Sequence, residues 1–155
     1  MYQLEVKQWL VMHRFPPSDG WRVHVDVDAM ERAKGGQHKL GKAARARVAE
    51  AALLSMGVTV GAHPEFGRAD IVAEHPTNGL FIAEVEGDSS RQKEQAVYSA
   101  LGQLVLQMQG AQHGFVLAVP DELSWEKQLL KIPRHARKTL GLSCVLVSEQ
   151  GVRAT

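Results

Sequence analysis

The sequence is poor in cysteine and in long apolar runs, and each shortage excludes a class of protein. Its 155 residues hold one cysteine, Cys144, so no internal disulfide framework exists and a buried thiol in a reducing compartment is expected. No apolar run approaches the ~18 residues of a membrane span. The N-terminus carries charges within its apolar alternation, unlike a signal peptide. We therefore expect an intracellular, cytoplasmic protein without a membrane partner.

Several enzyme motifs are missing as well. The sequence contains no GxGxxG fingerprint, no P-loop and no serine-nucleophile motif. Its seven histidines are scattered, with no pair at zinc-ligand spacing beside a cysteine. The net charge is only +1, so an anionic partner would have to be held by local basic patches.

The N-terminal part, residues 1–37, predicts a β-hairpin added to a core. Residues 2–13 and 21–27 have strand-like patterns, the second with a clean alternation, and the turn-rich stretch FPPSDG lies between them. Trp9 and Trp21 lie on this hairpin. We interpret their faces as a surface through which a homodimer could form.

Residues 38–150 form the predicted core, so that 1–155 is one domain. An alanine-rich helix is expected over residues 39–56, with Gly57 as its C-cap. Its predicted apolar stripe consists of Leu40, Ala44, Val48, Ala51 and Ser55. A strand-like run and a hairpin follow, and the order predicts a mixed α/β sheet flanked by helices.

Two later helices complete this core. The first begins after Ser89 or Ser90, and Gly102 within it costs about 1 kcal/mol relative to alanine, which predicts close approach of another element. The second spans about 122–140 and is interrupted at Pro133. The strands HGFVLAVP and LSCVLVSE follow these two helices in turn.

Asp70, Glu84 and Glu86 are the acidic residues of interest in the central hairpin GRADIVAEHPTNGLFIAEVEG, where they interrupt an otherwise apolar pattern. Glu84 and Glu86 project to one face because strand side chains alternate. A two-residue turn would place Asp70 on the other face, whereas a three-residue loop at 77–79 pairs Asp70 with Glu86 and gathers all three acids. The odd loop is favoured because it leaves the opposite face uniformly apolar.

Carboxylates crowded on one face repel one another unless a cation neutralises them. Oxygen ligands at this density suit Mg²⁺, Mn²⁺ or Ca²⁺ better than zinc. The alternative is an acidic strand face open to water, as many antiparallel sheets have. The spacing alone leaves both interpretations open.

At these residues the chain resembles the PD-(D/E)XK nuclease superfamily, whose restriction-endonuclease-like core is a helix, a three-strand meander, a helix and a strand. Asp70 in GRAD matches the first acid of its motif, and Glu84 in IAEVEG matches the second. Glu50 in RVAEAALLSMGV stands where several families carry an acid on the first helix. Gln103 in ALGQL matches a glutamine of the helix after the motif. The resemblance covers about residues 39–120.

The sequence departs from the family pattern in two places. Ala69 stands where a proline usually precedes the first acid, and Glu86 replaces the motif lysine. Some restriction enzymes of this fold carry an acid-X-Glu motif and are active. Alternatively Lys93, in the following helix, reaches back as a migrated lysine, or is simply a solvated helix residue.

The resemblance implies metal-dependent hydrolysis of phosphodiester bonds, with DNA as the expected substrate. Asp70 and Glu84 would hold Mg²⁺ (or Mn²⁺), and Glu86 would orient or deprotonate the attacking water. Glu50 would complete the metal shell, or else pair with a basic neighbour. Two other interpretations stay open: a catalytically inactive nucleic-acid-binding module on the same fold, and a protein-interaction domain.

Nucleic acid would be held by basic clusters that contact phosphates regardless of sequence. The candidates near the first helix and the acids are Lys39, Lys42, Arg45, Arg47, Arg91 and Lys93. A second patch in KIPRHARK offers Lys131, Arg134, Arg137 and Lys138. The alternative for each patch is an ordinary solvated face.

Overall fold

A computed structural model describes residues 1–88, 92–110 and 112–155. The helices in this part of the chain are α1 Gln3–Arg14, α2 Lys42–Ser55, α3 Lys93–Leu106, α4 Leu123–Leu129 and α5 Arg134–Leu140, with a 3₁₀ turn at Pro17–Asp19. The strands are β1 Arg22–Val25, β2 Thr59–Val60, β3 Ile71–His75, β4 Gly79–Val85, β5 Gly114–Pro120, β6 Leu142–Ser148 and β7 Gly151–Ala154.

The strands form one mixed sheet in the order β2-β1-β3-β4-β5-β6-β7. Strands β1, β3 and β4 are successively antiparallel, whereas β4, β5 and β6 are parallel. The edge strand β2 runs parallel to β1, and β7 is antiparallel to β6. The predicted mixed α/β sheet is therefore confirmed.

Helices cover both faces of the sheet. Helices α1 and α2 bury residues such as Leu10 and Leu53 in one apolar cluster with the sheet. Helices α3 and α4 bury Leu104 and Trp125 in a second cluster on the other face. Each fully buried large side chain contributes about 1.5–3 kcal/mol relative to exposure, so the two clusters hold the three layers together.

The predicted N-terminal hairpin is wrong, because most of its first strand lies in helix α1. The stretch carries apolar residues both at alternate positions and at helical spacing. Its buried side chains are Leu4, Val6, Lys7, Gln8, Leu10 and Val11. Helix α1 packs against α2 and across strands β4 to β7, which buries more than one narrow stripe and makes it part of the core.

Of the two tryptophans predicted to form a dimer surface, Trp21 makes its ring contacts within the chain, and the homodimer itself stays a prediction. The Trp21 ring centroid lies 4.9 Å from that of Phe15 and 5.7 Å from that of Phe81. Trp9 stacks on His13 along α1, with centroids 5.8 Å apart. Both tryptophans pack partly buried against the cluster beneath α1.

Helix α2 begins and ends close to the predicted positions, but it buries a different face. Its buried residues are Ala46, Ala49 and Leu53, whereas the predicted stripe from Leu40 to Ser55 is exposed. In an alanine-rich helix several faces are similarly apolar, so sequence periodicity does not select the buried one. Gly102 of α3 also differs from expectation, because a Cβ added there would meet no atom within 4 Å.

The second half of the core follows the sequence closely. Pro133 separates α4 from α5 and caps the latter, as its interruption of the helical pattern predicted. The strand LSCVLVSE becomes β6, with Cys144 buried as expected. Strand β7 was not predicted, and it follows β6 across a tight turn at residues 149–150.

Candidate functional site

Asp70 and Glu84 are brought to the same end of the sheet by the β3–β4 hairpin. Asp70 immediately precedes β3, and Glu84 lies near the end of β4. The observed register pairs Ile71 with Ala83. One further step along the ladder sets Asp70 opposite Glu84, so the two carboxylates share a face.

The hairpin loop has an odd length, as predicted, but a different position. His75 pairs with Gly79, which leaves the three residues 76–78 in the loop instead of 77–79. This shifts the pairing by two positions and preserves the side of every side chain. The specific pairing of Asp70 with Glu86 was therefore wrong, while the shared face was right. Gly79 has a φ of 84°, the left-handed conformation that such a loop requires.

Glu84 and Glu86 are buried, with exposed fractions of 2% and 5%. The Asp70 side chain is 18% exposed. The backbone N–H of Glu86 donates to the Ala118 carbonyl at 3.0 Å, which extends the pairing of β4 with β5 by one step. The interpretation of an acidic strand face open to water is therefore wrong for both glutamates.

Glu84 is a carboxyl group in an environment that disfavours its charge. Burial, followed by the neighbouring charge of Asp70, raises the pKa of Glu84 from its ordinary 4.5 to about 10. Its Oε1 atom is buried and accepts no hydrogen bond within the described part of the chain. A proton or a bound cation would relieve this repulsion.

A buried lysine, Lys7 of helix α1, lies against the same carboxylates. Its ammonium is 2.8 Å from Oδ1 of Asp70 and 2.6 Å from Oε1 of Glu31, and it donates to the Asp26 carbonyl at 2.6 Å. The Lys7 side chain has no exposed surface. One ammonium group thus lies among three oxygen atoms, two of them from carboxylates.

The charges of this group depend on one another. Burial alone would lower the pKa of Lys7, but the Asp70 and Glu31 carboxylates outweigh it and raise that pKa. Burial and the Asp70 charge raise the pKa of Glu31, against the opposing effect of Lys7. Lys7 is therefore a permanent cation that holds Asp70 and Glu31 together.

Further hydrogen bonds fix the Asp70 carboxylate. The backbone N–H of Val85 donates to Oδ2 at 2.9 Å, and the Gln3 amide approaches both oxygens at 3.4 and 3.5 Å. The Asp70 carbonyl accepts from the N–H of Asp26 at 2.9 Å, which ties it to the end of β1. The first acid is thus positioned from β1, β4 and α1 together.

Gly87 sets how closely α1 approaches the acids. A Cβ added at Gly87 would lie 2.3 Å from the Gln3 nitrogen and 2.6 Å from the Tyr2 carbonyl carbon. The N–H of Asp88 donates to the Met1 carbonyl at 2.8 Å in the same contact. Because backbone meets backbone here, only glycine allows this separation.

Glu50 lies in a different ion pair. Its carboxylate receives hydrogen bonds from Arg32, the shortest at 2.6 Å, and this hydrogen bonding lowers the pKa of Glu50. No contact joins Glu50 to Asp70 or Glu84 among the contacts of the described residues. Glu31, rather than Glu50, is the further acid that the fold brings to Asp70.

Lys93 points to a different set of partners from the one predicted. Its ammonium donates to Glu122 at 3.1 Å and to Ser124 at 2.9 Å, and lies 3.7 Å from Asp88. It also lies 4.8 Å from the centroid of the Trp125 ring. Arg91, predicted beside the acids, lies outside the described residues.

The basic residues near α2 are partly engaged. Arg45 forms a hydrogen-bonded ion pair with Glu5 at 2.6 Å and lies over the Tyr2 ring. Lys42 donates to the Met30 carbonyl at 2.8 Å. Lys39 and Arg47 are exposed.

The second basic patch lies at the other end of the parallel strands. Gly141 and Leu142, at the start of β6, line one cleft with Arg134, Arg137 and Lys138. Arg137 donates to carbonyls of Leu129, Ile132 and Thr155, so its guanidinium is structural. Asp70 and Glu84 lie instead beside the end of β4.

Gln103 is exposed on α3 and lines a groove with Phe66, Gly67 and Arg68. These three residues belong to the loop that leads into Asp70. Gln103 is therefore connected to the acidic site through this loop, on the α3 side of the sheet.

The described ranges contain neither a preformed metal cluster nor a helix that could span a membrane. No group of three or more His, Cys, Asp or Glu side chains there is arranged to hold a metal ion. Likewise, none of the helices described is long and apolar enough to cross a bilayer. Asp70 and Glu84 are thus a pair of potential ligands, and the buried Oε1 of Glu84, which accepts no hydrogen bond, is the feature that fits a cation.

Comparison of the chain with protein-family models, with curated proteins and with solved structures finds no match.

Sequence reasoning missed Lys7 and Glu31, the two charged residues closest to Asp70. A signal for Lys7 exists: it lies three residues after Leu4 and four before Val11, on one face if the stretch is helical. Reading that stretch as a strand concealed the spacing. Glu31 follows VDVDAM in a stretch without periodicity, and no local pattern marks it as buried.

Proposed function

We propose that this protein is a metal-dependent nuclease that hydrolyses phosphodiester bonds, most directly those of DNA. The observation that carries the proposal is the pairing of Asp70 with buried, charge-repelled Glu84 at one end of the sheet. The succession of elements supports it: helix α1, the meander β1-β3-β4, helix α3 and parallel strand β5 follow the order of the PD-(D/E)XK core. Helix α2 and strand β2 are then an insertion after β1.

This arrangement changes which helix begins the core. The sequence suggested residues 39–56 for the first helix, whereas α1 precedes the meander in the structure. Glu50 accordingly has no role in the proposed site. The proposed site consists of Asp70, Glu84 and Glu86, with Lys7 and Glu31 behind them.

Asp70 and Glu84 are the residues that would hold Mg²⁺ or Mn²⁺. A cation would lower the raised pKa of Glu84 and give its buried, unpartnered oxygen a ligand role, because a divalent ion replaces the proton and removes the repulsion from Asp70. When bound, the metal supplies polarisation of the phosphate and a bound water of lowered pKa.

The chain's own residues then orient the reaction. Glu86 accepts one proton of the attacking water, whose oxygen bonds to phosphorus as the bond from phosphorus to the leaving oxygen breaks, and the leaving oxygen takes up a proton from solvent water. Lys7, through its 2.8 Å contact, holds Asp70 in one orientation. Lys7 is thus a positioning residue, because its ammonium is buried and already occupied by three acceptors.

Phosphates along the strand would be held by exposed cations on the α2 side. Lys39 and Arg47 are exposed, and Lys42 keeps its charge at the surface while donating to a carbonyl. Such contacts are independent of base sequence, so a salt-dependent affinity is expected. Arg45 contributes less, because Glu5 neutralises it.

A second candidate function is a non-catalytic nucleic-acid-binding module. The observation that favours it is that Lys7 already neutralises Asp70, which satisfies the first acid without a metal. In that case Asp70 and Lys7 only stabilise the fold, and the basic residues alone bind the nucleic acid.

A cleavage panel separates the two candidates. Plasmid, single-stranded, branched and RNA substrates are incubated with the full chain and Mg²⁺ or Mn²⁺, with Asp70→Asn as the test variant and Glu50→Gln as the control. The nuclease proposal requires cleavage that needs the metal and Asp70 but tolerates Glu50→Gln. If every substrate stays intact but the protein still binds nucleic acid, the nuclease proposal is wrong and the binding module is the supported function.

A further inference from the structure

A groove on the α3 side of the sheet lies beside the loop that ends at Asp70. It encloses about 630 Å³ between residues 65–68 and the C-terminal half of α3. That volume lies within the range of small-molecule sites, which is roughly 300–1,000 Å³. We call this cleft the amide groove, because its lining includes Gln103, Gln107 and Gln109.

The groove is close to the acids along the chain. Arg68 lines it and precedes Asp70 by two residues. Because a chain spans at most about 3.6 Å per residue, the two backbones lie within roughly 7 Å of each other. A group bound in the groove and a phosphate at Asp70 can therefore belong to one nucleotide or to neighbouring ones.

The lining has the chemistry of base recognition. Gln103 lies on α3 and Gln107 is the C-cap residue of that helix, with right-handed helical backbone angles, so the two residues, four apart, project from the same side. Each amide offers donors and an acceptor, the combination that pairs with the edges of nucleobases. Their position on one helix places two such groups side by side.

An aromatic ring forms part of the wall. Phe66 is half-buried, and its ring packs against those of His63 and His113, each with centroids 5.5 Å away. His63 is itself anchored by Glu74 at 2.9 Å, so the ring is held from behind. A fixed ring of this kind gives a surface on which a base can stack.

The charge of the groove lining favours a nucleobase over a free phosphate as the ligand. Its charged residues are Glu65 and Arg68, one of each sign, so the lining has no net charge. A neutral, planar group with donors and acceptors fits this lining better than an anion does. Arg68, at the side nearest Asp70, remains available for the phosphate of the same nucleotide.

We propose that the amide groove binds an unpaired nucleobase of the strand that is cut at Asp70, a proposal that rests on the nuclease function. Bases in a duplex are stacked and paired, and their edges are not free to enter a cleft between a loop and a helix. The expected substrate is therefore single-stranded or locally opened nucleic acid.

The test compares two strands that differ only in their bases. A fluorescein-labelled oligo(dA) strand and an abasic strand with the same number of phosphates are titrated with the full chain in EDTA, and anisotropy gives both Kd values. The variant Gln103→Ala/Gln107→Ala is compared with wild type, and Gln150→Ala, an exposed glutamine on the β6–β7 turn, serves as control.

Wild type and control should bind oligo(dA) about tenfold more tightly than the abasic strand, the size of one stacked and hydrogen-bonded base. The double variant should lose this preference and bind the abasic strand as wild type does. Equal weakening of both strands, or an unchanged preference, overturns the proposal.

Cleavage assays on the same proteins distinguish a failure of the groove proposal from a failure of the nuclease proposal. If wild type cleaves single strands with Mn²⁺ but Gln103→Ala/Gln107→Ala keeps its base preference, the groove proposal alone is wrong. If the preference follows the two glutamines but neither cleavage nor Mn²⁺ binding occurs, the groove proposal holds for the binding module. If wild type binds neither strand, the groove proposal is overturned, and cleavage with Mn²⁺ alone decides the nuclease proposal.

Discussion

Lys7 of helix α1 and Asp70, just before strand β3, form an ion pair of 2.8 Å, although the two residues are 63 positions apart in the chain. The same ammonium lies 2.6 Å from Glu31. This pair joins the N-terminal helix to the acid that the nuclease resemblance identifies. It makes the orientation of Asp70 depend on the packing of α1.

Replacing Lys7 by Met should destabilise the protein strongly. The substitution leaves the Asp70 and Glu31 carboxylates buried beside each other without a cation, which costs about 3–5 kcal/mol in comparable pairs. Urea unfolding measures the loss. Lys131→Met, which removes a half-exposed pair with Glu94, should cost less than about 1 kcal/mol.

A second substitution checks this explanation. Adding Glu31→Gln to Lys7→Met removes one of the two orphaned charges and should restore part of the lost free energy of unfolding. A double variant less stable than Lys7→Met would mean that charge repulsion is not the cause.

The stability of wild type relative to Glu84→Gln should fall as pH rises. The unfolded carboxyl ionises near 4.5, whereas the folded one, with its pKa raised to about 10, keeps its proton. The folded state therefore binds more protons throughout this window, and stability decreases with pH. Between about pH 5 and pH 8 we expect the free energy of unfolding of Glu84→Gln to rise by at least about 1 kcal/mol relative to that of wild type.

Urea unfolding at several pH values measures this difference in free energy of unfolding between Glu84→Gln and wild type. Glu65→Gln, at an exposed position, is the control and should follow wild type. A gap that is constant across the range would show that Glu84 is already ionised in the folded protein.

Asp70→Asn should abolish Mn²⁺ binding measured by calorimetry and reduce cleavage by a factor of about 10² or more, since it removes a charged ligand of the proposed ion. Glu50→Gln should leave both unchanged, because Glu50 pairs with Arg32 away from the acids. Loss of Mn²⁺ binding in Glu50→Gln would instead show that Glu50 of helix α2 belongs to the metal site.

Glu86→Gln should lower the cleavage rate by about 10²–10⁴ while retaining Mn²⁺ affinity, since it removes the proposed proton acceptor but not a ligand. Glu86→Lys, which introduces the lysine of the PD-(D/E)XK motif that the sequence resembles, should retain more activity than Glu86→Gln. A cleavage rate unchanged in Glu86→Gln, with unchanged folding by circular dichroism, would contradict a catalytic role for position 86.

Gly87→Ala should destabilise the protein by about 1–3 kcal/mol or more, because the new methyl group would overlap the α1 backbone at Gln3. Gly102→Ala is the matched control. That position is open and helical, so alanine should stabilise the protein by about 1 kcal/mol. Thermal unfolding of the two variants, with shifts of opposite sign, tests the close contact.

Local patterns predicted what depends on neighbours in sequence. Gly57 ends the stretch of α2, Pro133 divides the later helices, and Gly79 turns the hairpin with positive φ. The alternation of Glu84 and Glu86 with apolar residues placed Asp70 on their side even though the loop moved by one residue. An odd loop length is enough for that result.

Other features depended on contacts that no local pattern records. The N-terminal stretch carries both strand and helix periodicities. It forms helix α1, because in that conformation it packs across the four strands β4 to β7. Alanines make several faces of α2 equivalent, so the sheet surface determined which one is buried. Glu50 and Lys93 found partners, Arg32 and Glu122, that are distant in sequence.

The amino-acid order by itself determined an α/β chain whose central hairpin gathers its carboxylates on one side, because strand alternation and turn length are properties of adjacent residues. Tertiary structure decided that these carboxylates are buried, that Lys7 and Glu31 join them, and that Glu50 does not. The physical reason is that burial and ion pairing are set by which distant segments meet. Here that meeting is between α1 and the ends of β1, β3 and β4.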